Sequence, residues 1–384
     1  MKRTQNKFKI LNVCSSRSWG GLELLATILP EKLRERGHDI IPVCYQGSRI
    51  DQRLQHLGFQ PEYLNITHYF HPIKIHRLAK IIKETNVDLI HSDYSRDLWT
   101  IVPALYFSKQ VPIVLIKHIG TQKPKRDFLH AWIYQHVKHI IAISTVIRNN
   151  VVETHPIDSD RVSVIHNGVS LERFDPHRAN RAGIRKEFSI SHDEIVIGII
   201  GRLQVAKGYL EFLKMASMIA QSYKNVRFMI VGEATRGHET EAQMILAKIE
   251  ELGLQQRIIY TGYREDVPSL LAAMDLFVFP SRAEAFGLVL IEAMAMQLPV
   301  IACRSDGVLD IVVENETGFL FTPKDVKELY QAVLDLLEHP EKRVVFGQAG
   351  HRRVIEKFSD TLMLDNVEIL YHTLISQYRA SSLS

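Results

Sequence analysis

The sequence has few cysteines and no long hydrophobic segment. Three cysteines occur in 384 residues, Cys14, Cys44 and Cys303, and they lie far apart in apolar runs. We expect buried free thiols in a reducing compartment, not a disulfide framework. No apolar stretch approaches the roughly 20 residues of a membrane-spanning helix, and Lys2 and Arg3 lead into a short strand-like run unlike a secretory signal. These features predict a cytoplasmic protein.

The sequence also lacks internal repeats at solenoid periods and low-complexity tracts. Hydrophobic residues make up 46% and charged residues 23%, which is ordinary for a globular protein. A chain of 384 residues is long enough for two domains, each with its own core.

The net charge of +4 is unevenly distributed along the chain. Residues 1–182 contain 26 Lys and Arg against 16 Asp and Glu, a net +10, whereas residues 183–384 carry a net −6. A basic first half predicts an anionic partner, which would be nucleic acid, an anionic substrate or a membrane surface. No nucleic-acid reader motif or aromatic–basic stacking platform is present, so we expect no nucleic-acid partner.

Short apolar runs alternate with amphipathic helical segments in both halves. Strand-like runs occur at 8–14, 40–45, 88–91, 113–117 and 139–143, and the series restarts at 195–201, 227–232, 258–262, 276–280 and 300–302. Such alternation predicts an α/β fold with two Rossmann-like domains, each built on a parallel sheet. An Arg-rich polar stretch at 175–191 separates the two series, and the tail from 325 is predicted to form two helices.

The segment 275–295 places two carboxylates on either side of a Phe-Gly turn, where a buried strand gives way to a helix after Gly287. The start of such a helix offers free backbone N–H groups and a positive dipole end, which together bind phosphate. Glu284 and Glu292 cannot bind phosphate, but they can accept hydrogen bonds from sugar or ribose hydroxyls. Phosphate and polyol recognition together predict a nucleotide-sugar ligand.

Two further strand-to-helix loops suit the same ligand. In GRLQVAKG, Arg202 and Lys207 follow a buried strand, and a guanidinium with an ammonium suits a diphosphate. Gly20 and Gly21 follow the first strand and allow close backbone approach to an anion. His118 ends a central strand of the first half, where α/β sites collect, although a lone histidine there is more often structural.

These strings resemble the retaining glycosyltransferases of family 4, which have the GT-B fold. The resemblance lies in the Glu-x7-Glu spacing of PSRAEAFGLVLIEAMA, in G-R-L-x-x-x-K-G, and in Asn167-Gly168-Val169, where Ser170 replaces the family's Asp. The Lys117-His118-Ile119-Gly120 string matches the family's His-Gly element with a shift of one residue.

The resemblance implies a role for each matched residue. Glu284 contacts donor-sugar hydroxyls and Glu292 contacts the ribose, while the backbone of Phe286, Gly287 and Leu288 approaches the sugar and diphosphate. Arg202 and Lys207 hold the diphosphate and neutralise the charge that grows as the nucleoside diphosphate leaves. The Gly20-Gly21 loop faces the diphosphate, and His118 hydrogen-bonds the donor sugar and helps to polarise the reacting centre.

The resemblance also implies the domain organisation: an acceptor-binding domain at 1–180, a nucleotide-sugar-binding domain at 181–360 with its sheet facing the first across a cleft, and a final helix at 361–384 that crosses back. We expect no metal and no cofactor. Asp158-Ser159-Asp160 matches the D-x-D metal motif of another transferase fold, but its exposed position before a strand argues against that role.

Two basic segments bear on the acceptor. Residues 73–84 are typical either of a surface-lying basic helix or of an ordinary packed helix, and 121–127 form a basic loop after His118. They predict a glycan or glycolipid acceptor such as lipopolysaccharide, with peripheral contact to an anionic membrane; a UDP-sugar is the default donor. The alternatives are a non-catalytic glycan- or lipid-binding protein and a sugar-nucleotide epimerase on the same fold.

Overall fold

The computed structural model describes residues 7–235 and 237–381. Lys2 and Arg3 of the expected N-terminal run, and residues 382–384 of the predicted final helix, lie outside the described residues. The chain divides into two compact units. The first unit takes the chain up to His166 and again from Met363, and the second is Asn167–Leu362.

The first unit contains a parallel sheet, with seven strands among the described residues in the order β3-β2-β1-β4-β5-β6-β7. Its inner strands β1, β4 and β5 are almost wholly buried, as expected for a sheet covered on both faces, whereas the edge strand β3 is partly exposed. They are β1 Lys9–Cys14, β2 Asp39–Cys44, β3 Glu62–Tyr63, β4 Leu89–Ser92, β5 Ile113–Lys117, β6 Val137–Ala142 and β7 Val162–Val164.

The helices of this unit before His166 connect the parallel strands. They are α1 Gly21–Glu35, α2 Arg49–His56, α3 Pro72–Thr85, α4 Leu98–Leu105, α5 Phe128–Gln135 and α6 Thr145–Thr154, with short 3-10 turns at Ser95–Asp97 and Ser159–Arg161.

The second unit contains a parallel sheet, with six described strands in the order β10-β9-β8-β11-β12-β13. They are β8 Ile195–Ile200, β9 Val226–Val231, β10 Ile258–Gly262, β11 Leu276–Phe279, β12 Val300–Cys303 and β13 Gly318–Phe321. The helices are α7 Arg181–Glu187, α8 Tyr209–Ser222, α9 Glu239–Glu251, α10 Val267–Ala273, α11 Leu288–Ala295, α12 Val308–Ile311, α13 Val326–Glu338 and α14 Pro340–Lys357, with a 3-10 turn at Val205–Lys207.

The last helix, α15 (Asp360–Ser381), belongs to the first unit from Met363 onward. Tyr371 is fully buried there, and Glu368 accepts a 2.7 Å hydrogen bond from Arg36 of that unit. The predicted two-helix tail is wrong, because α13, α14 and α15 follow one another with breaks at His339 and Phe358.

Each sheet changes strand order once, and this fixes where a ligand can bind. β1 pairs with both β2 and β4, and β8 pairs with both β9 and β11. The connections on the two sides of such a switch run to opposite faces, which opens a crevice at the carboxyl ends of the strands. The α/β fold with parallel sheets is therefore confirmed, and the switch points are β1/β4 and β8/β11.

The Asn167-Gly168-Val169 turn packs tightly against the segment before α15. Val169 accepts from the Asp360 N–H at 3.0 Å and donates to the Phe358 carbonyl at 2.8 Å. A Cβ on Gly168 would lie 2.5 Å from the Asp360 Cα, so only glycine fits. All three cysteines are buried and free, as their apolar surroundings predicted. No helix among the described residues is long and apolar enough to cross a membrane.

Candidate active site

The loops that follow β8 and β11 meet at the switch point of the second unit. Lys207 donates from Nζ to Glu284 Oε2 at 2.6 Å, and both side chains are about one-fifth exposed, at 20% and 19%. The Ser281 hydroxyl donates to the same oxygen at 3.2 Å. Within the described chain Glu284 Oε1 has no hydrogen-bond partner, so it remains available to a ligand hydroxyl.

Arg202 follows β8 after Gly201 and is exposed. Its side chain makes no hydrogen bond or ion pair with any other residue that the structure describes. A guanidinium without a protein carboxylate keeps its full charge and its donors for an anion. Arg202 and Lys207 thus differ: Arg202 makes no ion pair within the described residues, whereas Lys207 is paired with Glu284.

Gly208 allows the loop after β8 to pack closely against the segment that follows β11. Its φ is +79°, and a Cβ would lie 2.3 Å from the Pro280 carbonyl oxygen, so the Lys207 loop sits directly on the end of β11. Arg282 adds two contacts, donating its backbone N–H to the Ala206 carbonyl and a guanidinium N–H to the Val205 carbonyl, each at 3.2 Å. These contacts hold Lys207 next to Glu284.

The loop after β12 supports the Glu284 segment from another side. Gly307 donates its N–H to the Glu284 carbonyl at 2.9 Å, and a Cβ there would lie 2.4 Å from the Ala285 carbonyl oxygen. The Ser305 hydroxyl donates to the Ser281 carbonyl at 3.1 Å. Close backbone packing therefore fixes the course of residues 281–286.

Helix α11 begins at Leu288, immediately after Gly287, whose φ of +111° suits only glycine. No described side chain caps this helix, so its first N–H groups and positive dipole end are left for a ligand. The Phe286 ring is 2% exposed and packs on Phe358 at a centroid distance of 5.9 Å. Phe286 can therefore offer a ligand its backbone but not its ring.

Glu292 lies within α11, one turn further from the loop. Burial raises the pKa of its carboxyl to about 7, against the opposing positive charge of Arg173. Near neutral pH this side chain is present in both protonation states, so it can donate to or accept from a hydroxyl.

The first unit holds the remaining predicted residues. Gly20 has extended backbone and precedes Gly21, the first residue of α1, whose N-terminus has no described side-chain cap. His118 follows β5 and is buried, with 6% of its surface exposed. Its Nε2 lies 3.2 Å from Asp93 Oδ1, and its Nδ1 is buried without a hydrogen-bond partner among the described residues.

Sequence reasoning missed several polar residues near these positions. Asp97 accepts hydrogen bonds from the Ser15 N–H and hydroxyl, and burial raises the pKa of its carboxyl to about 6 despite those bonds. Lys117 reaches Ser95 Oγ and Thr121 Oγ1, and burial lowers the pKa of its ammonium to about 7. The signal in the sequence was weak: Lys117 is a single polar residue at the end of β5, and Asp97 lies in a short turn after β4.

The structure decides between the two interpretations of residues 73–84. The apolar stripe of α3, formed by Ile75, Leu78 and Ile82, is buried and packs on the body of the unit. This segment is an ordinary packed helix with solvated cations, and the surface-lying interpretation is wrong for that stripe. Asp158 is exposed and pairs with Arg161, and within residues 7–235 and 237–381 no three His, Cys, Asp or Glu are grouped as a metal site requires.

Comparison with known proteins agrees with this architecture. Residues 180–353 match the family model "Glycosyl transferases group 1", and residues 19–173 match "Glycosyltransferase Family 4". The capsular polysaccharide biosynthesis glycosyltransferase CapM of Staphylococcus aureus is 28% identical over 242 residues, which cover 62% of this chain and 62% of that protein.

Two solved structures share the fold along the whole chain. A glycosyltransferase from Rickettsia africae superposes with a TM-score of 0.87 at 24% identity, covering 96% of this chain and 99% of that one. HepE of Anabaena, solved in complex with UDP and glucose, gives 0.83 at 22% identity, covering 96% and 100%. With both family models matched and the fold shared, the chain belongs to the family-4 glycosyltransferases of the GT-B fold.

Proposed function

We propose that this glycosyltransferase moves a sugar, with retention of anomeric configuration, from a nucleotide-diphosphate sugar to a hydroxyl of an envelope glycan or glycolipid. The observation that carries the proposal is the Lys207–Glu284 pair beside the uncommitted Arg202 at the β8/β11 switch point. Cations for a diphosphate and a free carboxylate oxygen for a hydroxyl lie on adjoining loops. That combination suits a nucleotide sugar better than either ligand alone.

The proposed chemistry uses these groups as follows. The bond between the anomeric carbon and the phosphate oxygen breaks, and a bond to the acceptor oxygen forms on the same face. The departing phosphate takes the acceptor's proton. Arg202, Lys207 and the α11 N-terminus stabilise the charge that grows on the leaving group, so the proposed mechanism needs no metal ion. Glu284 Oε1 orients the sugar by accepting a hydroxyl hydrogen bond.

Similar proteins support the substrate classes. HepE was solved with UDP and glucose, which favours a UDP-sugar as the donor here. CapM acts in capsular polysaccharide biosynthesis, which favours an acceptor belonging to the cell envelope, with lipopolysaccharide as one example. The net +10 of residues 1–182 suits an acceptor that carries phosphate or another anion.

A thermal-shift screen against UDP, GDP, ADP, CMP and their sugar conjugates tests the donor. A ligand that binds only the folded protein, at about 100 times its Kd, adds about 2.7 kcal/mol to the free energy of unfolding. We expect stabilisation by one nucleotide diphosphate and its sugar conjugate, with the effect abolished in Arg202→Ala.

The control is Arg352→Ala, which removes an exposed arginine on α14 and should leave the shift intact. The absence of any shift in the wild-type protein would argue against a nucleotide-sugar donor and for a non-catalytic binding protein. A shift that persists in Arg202→Ala would instead show that the diphosphate does not depend on this loop for binding.

We also propose an anionic membrane as the surface on which the acceptor is met. An exposed apolar strip, formed by Tyr69, Phe70, Ile73, Phe107 and Phe128, lies on the first unit, with exposed fractions of 61%, 72%, 82%, 61% and 79%. Ring contacts connect the segments that carry these side chains: Tyr69 contacts Trp99 of α4 at 5.6 Å, Trp99 contacts His130 of α5 at 5.3 Å, and His76 of α3 contacts Phe107 at 5.3 Å.

The cations on the same segments favour an anionic membrane as the partner of this apolar strip. Arg77 and Lys80 of α3 are exposed, as are Lys123 and Arg126 of the loop before α5. Aromatic side chains next to cations suit the interface of an anionic bilayer, where rings enter the headgroup layer and cations meet lipid phosphates.

Flotation with phosphatidylcholine vesicles, with and without phosphatidylglycerol, tests this contact. We expect binding only to the phosphatidylglycerol vesicles, weakening at high salt, and largely lost in the Phe70→Ser, Ile73→Ser double variant. The matched control is Val344→Ser, Val345→Ser, which removes two similarly exposed apolar side chains from α14 and should bind normally. Failure of the wild-type protein to float would end the membrane proposal.

A further inference from the structure

A chain of four buried side chains crosses the first unit from the last helix to His118. The Tyr371 hydroxyl contacts His91 Nδ1, His91 Nε2 lies 3.4 Å from Asp93 Oδ1, and His118 Nε2 lies 3.2 Å from the same oxygen. Asn12 Nδ2 donates to Asp93 Oδ2 at 3.1 Å. None of these residues is more than 6% exposed. We call Tyr371, His91, Asp93 and His118 the buried histidine chain.

Hydrogen-bond chemistry allows one self-consistent arrangement of protons in this chain when both histidines are neutral. A carboxylate only accepts, so both histidines must present N–H from Nε2 to Asp93. His91 Nδ1 is then a lone pair and accepts from the Tyr371 O–H. His118 Nδ1 is likewise a lone pair, and it is the one atom of the buried histidine chain that lacks a partner within the described structure.

The surroundings keep Asp93 ionised and Tyr371 protonated, as this arrangement requires. Burial would raise the pKa of Asp93, but the adjacent His91 ring and the hydrogen bonds from His118 and His91 outweigh it and hold that pKa well below its usual range. Burial and the Asp93 charge raise the pKa of the Tyr371 phenol. Asp93 therefore stays an acceptor and Tyr371 stays a donor.

We propose that Tyr371, His91 and Asp93 are positioning residues that hold His118 in its Nε2–H tautomer, so that Nδ1 accepts a hydrogen bond from a hydroxyl of the sugar substrate. The proposal rests on the proposed function. An unpaired buried ring nitrogen is costly, and a hydroxyl donor would satisfy it. His118 directly follows β5, at the carboxyl end of a parallel strand, which is where α/β sheets bind their ligands.

The decisive variant is Asp93→Asn. Its amide can donate to His118 Nε2, which would drive the proton to Nδ1 and turn the acceptor into a donor. With full-length protein, UDP-glucose as the probe and UDP release as the readout, we expect kcat to fall about tenfold, the scale of one lost hydrogen bond. The UDP-induced thermal shift should be unchanged. Long-range ¹H–¹⁵N spectra should show His118, assigned by its loss in His118→Ala, as Nε2–H in wild type and as Nδ1–H in the variant.

The double variant Asp93→Asn, His118→Ala separates positioning from an independent effect. If Asp93 acts through His118, the double variant is no slower than His118→Ala alone, whereas multiplying effects would overturn the proposal. A wild-type His118 with its proton on Nδ1, or a His118 resonance unmoved by UDP-glucose, would also overturn it. Absence of both UDP release and a thermal shift in wild type would instead reject UDP-glucose as the donor, and the same variants would then be assayed with the nucleotide sugar that the thermal-shift screen identifies.

Tyr371→Phe provides a second variant in case Asp93→Asn fails to fold. This variant removes a single oxygen, so His91 Nδ1 loses its hydrogen-bond donor and His91 can change tautomer. His91 would then no longer have to donate from Nε2 to Asp93. We expect a changed His91 spectrum, a partial shift of the His118 tautomer and a smaller loss of kcat. An unchanged kcat with an unchanged His118 tautomer would remove Tyr371 from the proposed role.

Discussion

Replacing Glu284 with alanine is expected to lower turnover by about 100-fold or more, on the scale seen when one group that stabilises a transition state is removed. The alanine loses the Oε1 acceptor for the sugar hydroxyl and leaves Lys207 without the partner that holds it at 2.6 Å. The fold should be preserved, with a loss of about 1–3 kcal/mol in the free energy of unfolding, because the largely buried Lys207 loses its partner. Initial rates and thermal unfolding of the same preparations measure both quantities.

Two companion variants make the Glu284 result specific. Glu284→Gln keeps an acceptor oxygen but removes the charge, so it should retain more activity than the alanine variant if hydroxyl binding matters. Glu316→Ala removes an exposed glutamate from the turn before β13 and should behave as wild type in both assays. Near-normal turnover in Glu284→Ala would contradict the assignment of this residue to the site.

Gly208→Ala is expected to lower both the stability of the second unit and the turnover of the enzyme. The added Cβ meets the Pro280 carbonyl oxygen at 2.3 Å, and the backbone has a φ of +79°. The left-handed backbone alone costs about 1–2 kcal/mol, and the forced displacement adds about 1–3 kcal/mol. Moving this loop also moves Lys207 away from Glu284, so activity should fall even well below the unfolding temperature.

Gly253→Ala is the matched control for backbone conformation. Gly253 follows α9 with a φ of +65°, and nothing lies within 4 Å of the position that an added Cβ would take. It therefore carries the conformational cost without the clash, and it should lose only about 1–2 kcal/mol with normal turnover. Equal losses of stability and activity in the two variants would show that the contact with Pro280 is unimportant.

The alternation of apolar runs predicted the architecture because buried parallel strands and their connecting helices leave a strong local pattern. The strands predicted at 113–117 and 258–262 have the bounds of β5 and β10. The prediction for the tail failed for a local reason that was visible in the sequence. Pro340 suits the first turn of a helix, since its missing N–H would have no partner there, and it marks the start of α14 after the break at His339.

Residues of the candidate site could be predicted from the sequence where a local motif marks their loop. Contacts between residues that lie far apart in the sequence could not. The strings around Lys207 and Glu284 are typical of strand-to-helix loops, and the β8/β11 pairing brings them into contact. By contrast, His91 and Tyr371 are 280 positions apart, and nothing local to either indicates the other. The burial of α3's apolar stripe was also decided by tertiary packing, which periodicity alone does not reveal.

The discontinuity of the first unit has a consequence for synthesis on the ribosome. The second unit is a continuous segment, Asn167–Leu362, and its entry and exit lie side by side where Val169 bridges to Ser359. Domains generally fold in the order in which they emerge. Here the unit that emerges first must wait for Tyr371, so the nascent chain completes its second unit before its first. A chain that ended after Leu362 would contain the whole of the second unit but would leave the first unit without the helix that carries Tyr371.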